Sequence, residues 1–191
     1  NADGSTIDLN ITNINTGASA TTIRFAESAS DNTVRYTQLS GAGSDVMSAI
    51  VSVSTASIGD GNDRNTFTNN HFTGLNATNR PRFALLSEGS SGRTNSGNAI
   101  SNNRFYDTWR PNSDASMVQI GSGSDDWTIT GNSFYETTSF VPTGAFTYSA
   151  IHLDDLNGGG HVVTNNYVGG TLEQALGSPM TLGASGQAAT F

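Results

Sequence analysis

Asn65-Thr66-Phe67-Thr68-Asn69-Asn70-His71-Phe72 returns 33 residues later as Asn98-Ala99-Ile100-Ser101-Asn102-Asn103-Arg104-Phe105. A third copy, Asp126-Trp127-Thr128-Ile129-Thr130-Gly131-Asn132-Ser133-Phe134, carries one added residue, and His161-Val162-Val163-Thr164-Asn165-Asn166-Tyr167-Val168 is a fourth. Weaker copies run from Val34 to Leu39 and from Leu9 to Ile14. The apolar positions that close the phrase are then Ile14, Leu39, Phe72, Phe105, Phe134 and Val168, spaced 25 to 34 residues apart.

A second phrase interleaves with the first, an apolar-x-apolar step among small residues. Its members are Ile23-Arg24-Phe25, Val51-Ser52-Val53, Ala84-Leu85-Leu86, Val118-Gln119-Ile120, Ile151-His152-Leu153 and Met180-Thr181-Leu182. Two phrases sharing one period mark a repeat architecture.

Each step is three to five residues with alternate residues on one side, the signature of a short strand with one buried face. One coil of such strands cannot bury its apolar face; stacking coils about 4.8 Å apart supplies the core and pairs the backbone groups. The expected fold is all-β: a right-handed, single-stranded parallel β-helix of about six coils, forming one domain over residues 1–191. An antiparallel sandwich would not demand this period, and Leu172-Glu173-Gln174-Ala175-Leu176 has room for one helical turn at most.

Asn70, Asn103, Asn132 and Asn166 each precede a closing apolar residue by two. A corner there needs a left-handed residue, which Asn tolerates, and stacking would align the side chains as an asparagine ladder. Three longer excursions, Thr73 to Arg82, Asp107 to Ser116 and Glu136 to Ser149, all follow the closing residue and should emerge on one side, where solenoids often bind partners.

Composition narrows the function. The formal charge is −8, all eight basic residues are Arg, and no basic stripe is present to neutralise phosphates, which argues against nucleic acid as a partner. No apolar run approaches the roughly 20 residues of a membrane span, so membrane insertion is not expected. Cysteine is absent, which removes disulfides, thiolate metal sites and a cysteine nucleophile. The chain opens at Asn1 rather than Met and is expected to be a segment or processed part of a longer protein.

Three candidate sites compete with plainer readings. The outward column of the second phrase reads Arg24, Ser52, Leu85, Gln119, His152 and Thr181, with no repeated acid or base. No catalytic constellation is assigned; His152, close to Asp154 and Asp155, is the weak candidate for proton transfer. No cofactor is required by the sequence. The acidic turns at Asp60 and Asp63, Asp125 and Asp126, and Asp154 and Asp155 suit calcium by residue type, but their spacing matches no calcium repeat, and solvated turn residues are the default. Tyr106 and Tyr135 should point outward on neighbouring coils and, with Trp109 and Arg104, offer a sugar-stacking or protein-binding strip. The plainer alternative is that they cover the base of the excursions.

The segments from Gly61 to Thr66, Ser96 to Tyr106, Asp126 to Tyr135 and His161 to Gly170 resemble the β-helix repeats of very large, exported, adhesin-like bacterial surface proteins. The likeness covers roughly residues 30 to 185. It implies a secreted or cell-surface location and transfers no active site. The expected function is a non-enzymatic structural or adhesive module presenting a polar face to polysaccharide or surface protein. The alternative is a fragment of a carbohydrate-active enzyme, a polysaccharide lyase or hydrolase. Self-association through open end coils is a third expectation.

Overall fold

A computed structural model describes residues 6, 7, 9–155 and 158–181. The chain is a parallel β-solenoid built from three long sheets. Sheet A stacks β1 (Leu9–Asn13), β4 (Thr37–Gly41), β7 (His71–Gly74), β11 (Arg104–Tyr106), β15 (Ser133–Tyr135) and β18 (Tyr167–Val168). Sheet B stacks β2 (Thr21–Phe25), β5 (Ala49–Val53), β8 (Phe83–Ser87), β12 (Ala115–Ile120) and β16 (Tyr148–Leu153). Sheet C stacks β3 (Thr33–Arg35), β6 (Thr66–Thr68), β10 (Ala99–Ser101), β14 (Thr128–Thr130) and β17 (Val162–Thr164). A short pair, β9 (Asn95–Ser96) and β13 (Ser124–Asp125), lies between sheets B and C in the central coils. Every strand pairing is parallel, and the described chain completes slightly fewer turns than the six expected from the phrases.

The register explains the repeat. In sheet A, Ile11, Leu39, Phe72, Phe105, Phe134 and Val168 stand one above the next. Phe72 and Phe105 stack with ring centroids 4.5 Å apart, and Phe105 and Phe134 at 5.0 Å. Each such pair adds about 1 kcal/mol beyond the area it buries. Sheet C contributes the column Val34, Phe67, Ile100, Ile129 and Val163. Trp127, expected as a core residue, is fully buried with its indole N–H donated to the Asn95 carbonyl.

Two expectations shift by one to three residues, and a third step forms no strand among the described residues. Ile11, not Ile14, takes the first closing position; Ile14 lies past the strand and is 75% exposed. In sheet B the outward column is Arg24, Ser52, Leu86, Gln119 and His152, so Leu86 rather than Leu85 occupies it. Strict alternation fails there because two successive side chains turn into the core in each central strand: Ile50-Val51, Ala84-Leu85, Met117-Val118 and Ala150-Ile151. With three apolar residues in a row, the phrase alone leaves the phase of β8 ambiguous. Met180 and Thr181 form no strand, and Leu182 lies outside the described residues.

The corner asparagines divide their work between neighbours. The left-handed residues are Asn69, Asn102, Gly131 and Asn165, each one position before the asparagine expected to hold that conformation, with Tyr36 at the same place in the second coil. Asn70, Asn103, Asn132 and Asn166 form the ladder. The backbone N–H groups of Thr37, Asn70, Asn103 and Asn132 donate to the Oδ1 of the next asparagine, at 2.8–3.1 Å. In each coil the residue that turns and the residue that joins the ladder are thus adjacent positions. Two further ladders run along Asn32, Asn65 and Asn98, and along Asn62 and Asn95. Where the ladder of Asn32, Asn65 and Asn98 reaches Trp127, His161 Nδ1 accepts the backbone N–H that an asparagine oxygen would otherwise take.

Leu172 to Leu176 makes a short turn at Glu173–Ala175 that is not a helix, since Gln174 is left-handed. No helix among the described residues is long and apolar enough to cross a membrane.

Candidate functional site

The outward face of sheet B gathers the most varied chemistry near the excursions. Residues 73–82, 107–114 and 136–147 lead from sheet A to sheet B and lie side by side as one wall. The Thr143 N–H donates to the Pro111 carbonyl, and the Thr147 N–H to Asp114 Oδ1. Inside the wall Trp109 packs on Phe140 and Tyr148 and donates its indole N–H to the Ser149 carbonyl. Arg80 Nη1 lies 2.6 Å from Glu136 Oε2 and also donates to the Trp109 carbonyl, while the Trp109 N–H reaches Glu136 Oε1. Asp107 stands 3.9 Å from Arg80 Nη2. Burial, against the pull of Arg80, pushes the Glu136 carboxyl up to about 8.

Beside this wall the face holds two adjoining depressions. One, of about 390 Å³, is lined by Arg82, Asp114, Ser116, Gln119, His152 and Asp154 among others. The second, of about 250 Å³, continues the face past Leu86 to Glu88, Ser52 and Arg24. Gln119 Oε1 accepts from Ser116 Oγ and lies 3.2 Å from His152 Nδ1, which ties three of the lining groups together. Arg82 lies over the Phe83 ring, and Ala49, Phe83 and Leu86 make a small buried apolar cluster beneath the same face. Glu88 is shifted upward, by burial first and by the nearby Asp154 second. The surface therefore mixes donors, acceptors and an apolar floor.

The sequence candidates scatter over the molecule. His152 and Asp154 share the larger depression, but Asp155 turns inward, its Oδ2 3.5 Å from His161 Nε2. Because His161 Nδ1 accepts the Trp127 N–H, the neutral ring carries its proton on Nε2, toward Asp155. Tyr106 and Tyr135 do stack, with centroids 5.4 Å apart on the outer side of sheet A. Tyr135 is buried beneath the turn at Glu173–Ala175, and Arg104 is ion-paired with Glu173. Trp109 is only 1% exposed and belongs to the wall, so the exposed strip expected from the four residues is reduced to Tyr106 and Arg104 at the sheet surface.

The acidic turns are likewise separate. Asp60 is exposed, Asp63 Oδ1 accepts the Ser96 N–H, and Asp125 Oδ1 accepts the Gly159 N–H while Asp126 faces solvent. Among the described residues no three His, Asp or Glu side chains come together as an ion-binding group.

Arg82 and Asp114 are lining residues that the two phrases do not announce. Each sits just before a sheet B strand, so aligning the residues flanking the second phrase brings them to neighbouring coils. Comparison with family models, with curated proteins and with solved structures finds no match for this chain. What defines it is the fold itself: a parallel β-solenoid with buried polar ladders and one excursion-walled face.

Proposed function

We propose that the chain is a non-enzymatic binding module of an exported bacterial surface protein, and that the outer groove of sheet B takes a linear glycan. The supporting observation is the run of two adjoining depressions along stacked coils, floored by the mixed column Arg24, Ser52, Leu86, Gln119 and His152. A polymer of repeated polar units can meet a repeated polar column coil by coil, and Gln, Ser, Arg and His supply both donors and acceptors for hydroxyl groups. The rigid wall limits the conformational cost of binding. The surface location follows from the resemblance of the repeats and remains part of this proposal.

The enzymatic alternative draws on one specific observation: His152, Asp154, Arg82 and Asp114 line a single depression. Against it, the His152 ring is engaged with Gln119 rather than with a carboxylate.

A glycan-array screen of the purified chain, with and without calcium, tests both readings. Binding to one class of linear glycan, weakened about tenfold by Gln119→Ala or His152→Ala, supports the module. A folded chain that binds none of the glycans sinks it. Release of shortened or unsaturated products from an acidic polysaccharide would establish the enzyme instead, and loss of binding on calcium removal would assign a role to the acidic turns.

A further inference from the structure

At the corner between sheets C and A, four coils place Asn or Gly in the left-handed conformation: Asn69, Asn102, Gly131 and Asn165. The second coil places Tyr36 there, at φ +53°. A bulky side chain in this region costs on the order of 1–2 kcal/mol relative to residues that tolerate it. The corner does not need a tyrosine, since the same turn is made by asparagine one coil above. Asn69 Nδ2 donates to the Tyr36 hydroxyl at 3.4 Å and to Thr68 Oγ1 at 3.1 Å, which holds the phenol beside the next coil.

Tyr36, Asn69, Asn102, His71 and Arg104 line a depression of about 520 Å³, together with Thr6 and Ile7. This lies within the usual size range of small-molecule sites. Asn102 can stand where it does because its neighbour one coil above is Gly131; a β-carbon there would come within 2.4 Å of Asn102 Oδ1. The charges in the depression are already balanced. Arg104 is ion-paired with Glu173, and burial, then the Arg104 charge, lowers the His71 value, which favours the uncharged imidazole at neutral pH. An aromatic ring, two amides, an imidazole and a closed ion pair offer many hydrogen bonds and little net field.

We propose that this corner depression is a second binding site, independent of the sheet B groove, for a neutral saccharide unit. Tyr36 is its stacking platform, and Asn69, Asn102 and His71 are its hydrogen-bonding partners. An acidic sugar gains little here because Arg104 is committed to Glu173.

The test is NMR titration of the chain with neutral oligosaccharides of glucose, mannose, galactose and N-acetylglucosamine, against oligogalacturonate as the acidic probe. The side-chain amides of Asn69 and Asn102 should shift with a neutral probe, and Gln119→Ala should leave those shifts in place. Tyr36→Asn matches the corner rule, so it should raise the thermal midpoint while weakening the neutral sugar about tenfold. Tyr36→Phe keeps the ring and should retain most of the affinity. Unperturbed amides at millimolar concentrations of every neutral probe would overturn the proposal. So would preference for oligogalacturonate, or a Tyr36→Asn chain that binds as tightly as the parent.

Discussion

At the corner of sheets C and A, Asn70, Asn103 and Asn132 bury neutral amides, and each repeats the contacts of the coil before it. In the wall beside sheet B, Arg80 and Glu136 bury one guanidinium–carboxyl contact that joins separate excursions and has no counterpart among the described residues of the neighbouring coils. Both regions place polar groups out of water with partners at hydrogen-bond distance. The ladder spreads its satisfaction over many equivalent bonds and carries no charge to titrate. The wall concentrates its satisfaction in one pair, where losing a partner leaves a buried charge or an unmatched carboxyl.

The sharpest way to break this comparison is to remove one member of the wall. Above about pH 8, where Glu136 is ionised, Arg80→Met should cost about 3–5 kcal/mol, since the carboxylate then stays buried without its cation. A chemical denaturation curve checks this, and a loss below about 1 kcal/mol would mean the pair is not the wall's anchor. The same pair makes the wall sensitive to pH. The folded Glu136 value of about 8 lies above the ordinary 4.5, so the folded chain holds this proton more tightly than the unfolded one. Its contribution to stability is full below about 4.5 and is lost as the pH rises through about 8. Thermal midpoints should fall over that window, and Glu136→Gln should flatten the fall.

The ladder predicts a smaller and pH-independent loss. Asn103 Oδ1 accepts from both the N–H and the Nδ2 of Asn70, and its Nδ2 donates to the Phe67 carbonyl and to Asn132 Oδ1. Asn103→Ala should cost about 2–3 kcal/mol in a denaturation curve, with the same value at pH 5 and pH 8. A pH-dependent cost would erase the contrast between the regions.

His161 tests whether the ladder needs asparagine or only an acceptor. His161→Ala leaves the buried Trp127 N–H without its acceptor and should cost about 1–2 kcal/mol. His161→Asn restores an oxygen there and should lie within about 0.5 kcal/mol of the parent. Equal losses in both variants would assign the effect to the contact with Asp155 instead. The smallest change is expected at the exposed start of the second ladder, where Asn32→Ala should cost about 0.5 kcal/mol because water replaces the lost bonds.

How far each region was legible follows from the same difference. A ladder repeats with the coil, so Asn70, Asn103, Asn132 and Asn166 stood out from spacing alone. The left-handed residue was placed one position late because both neighbours are Asn in three of the four copies, and spacing cannot say which one turns. The wall has no period: Arg80 and Glu136 lie 56 residues apart and belong to excursions of unequal length. Trp109 shows the same limit. Its neighbours in sequence suggested a surface aromatic, yet the excursion folds it inward onto Phe140 and Tyr148. The site residues Arg82, Asp114 and Tyr36 were hidden because a groove depends on what stands beside a residue in space.

The sequence by itself determined the coil, its period, most of the inward columns and the ladder of Asn70, Asn103, Asn132 and Asn166. Those features recur, and a stacked parallel strand forces like positions into contact. Only the tertiary structure decided the phase of the sheet B strands, the burial of Trp109 and the union of the excursions through Arg80 and Glu136. It also decided which polar side chains share a depression. These depend on single contacts between loops that no repeat constrains, where burial, charge pairing and close packing settle each position once.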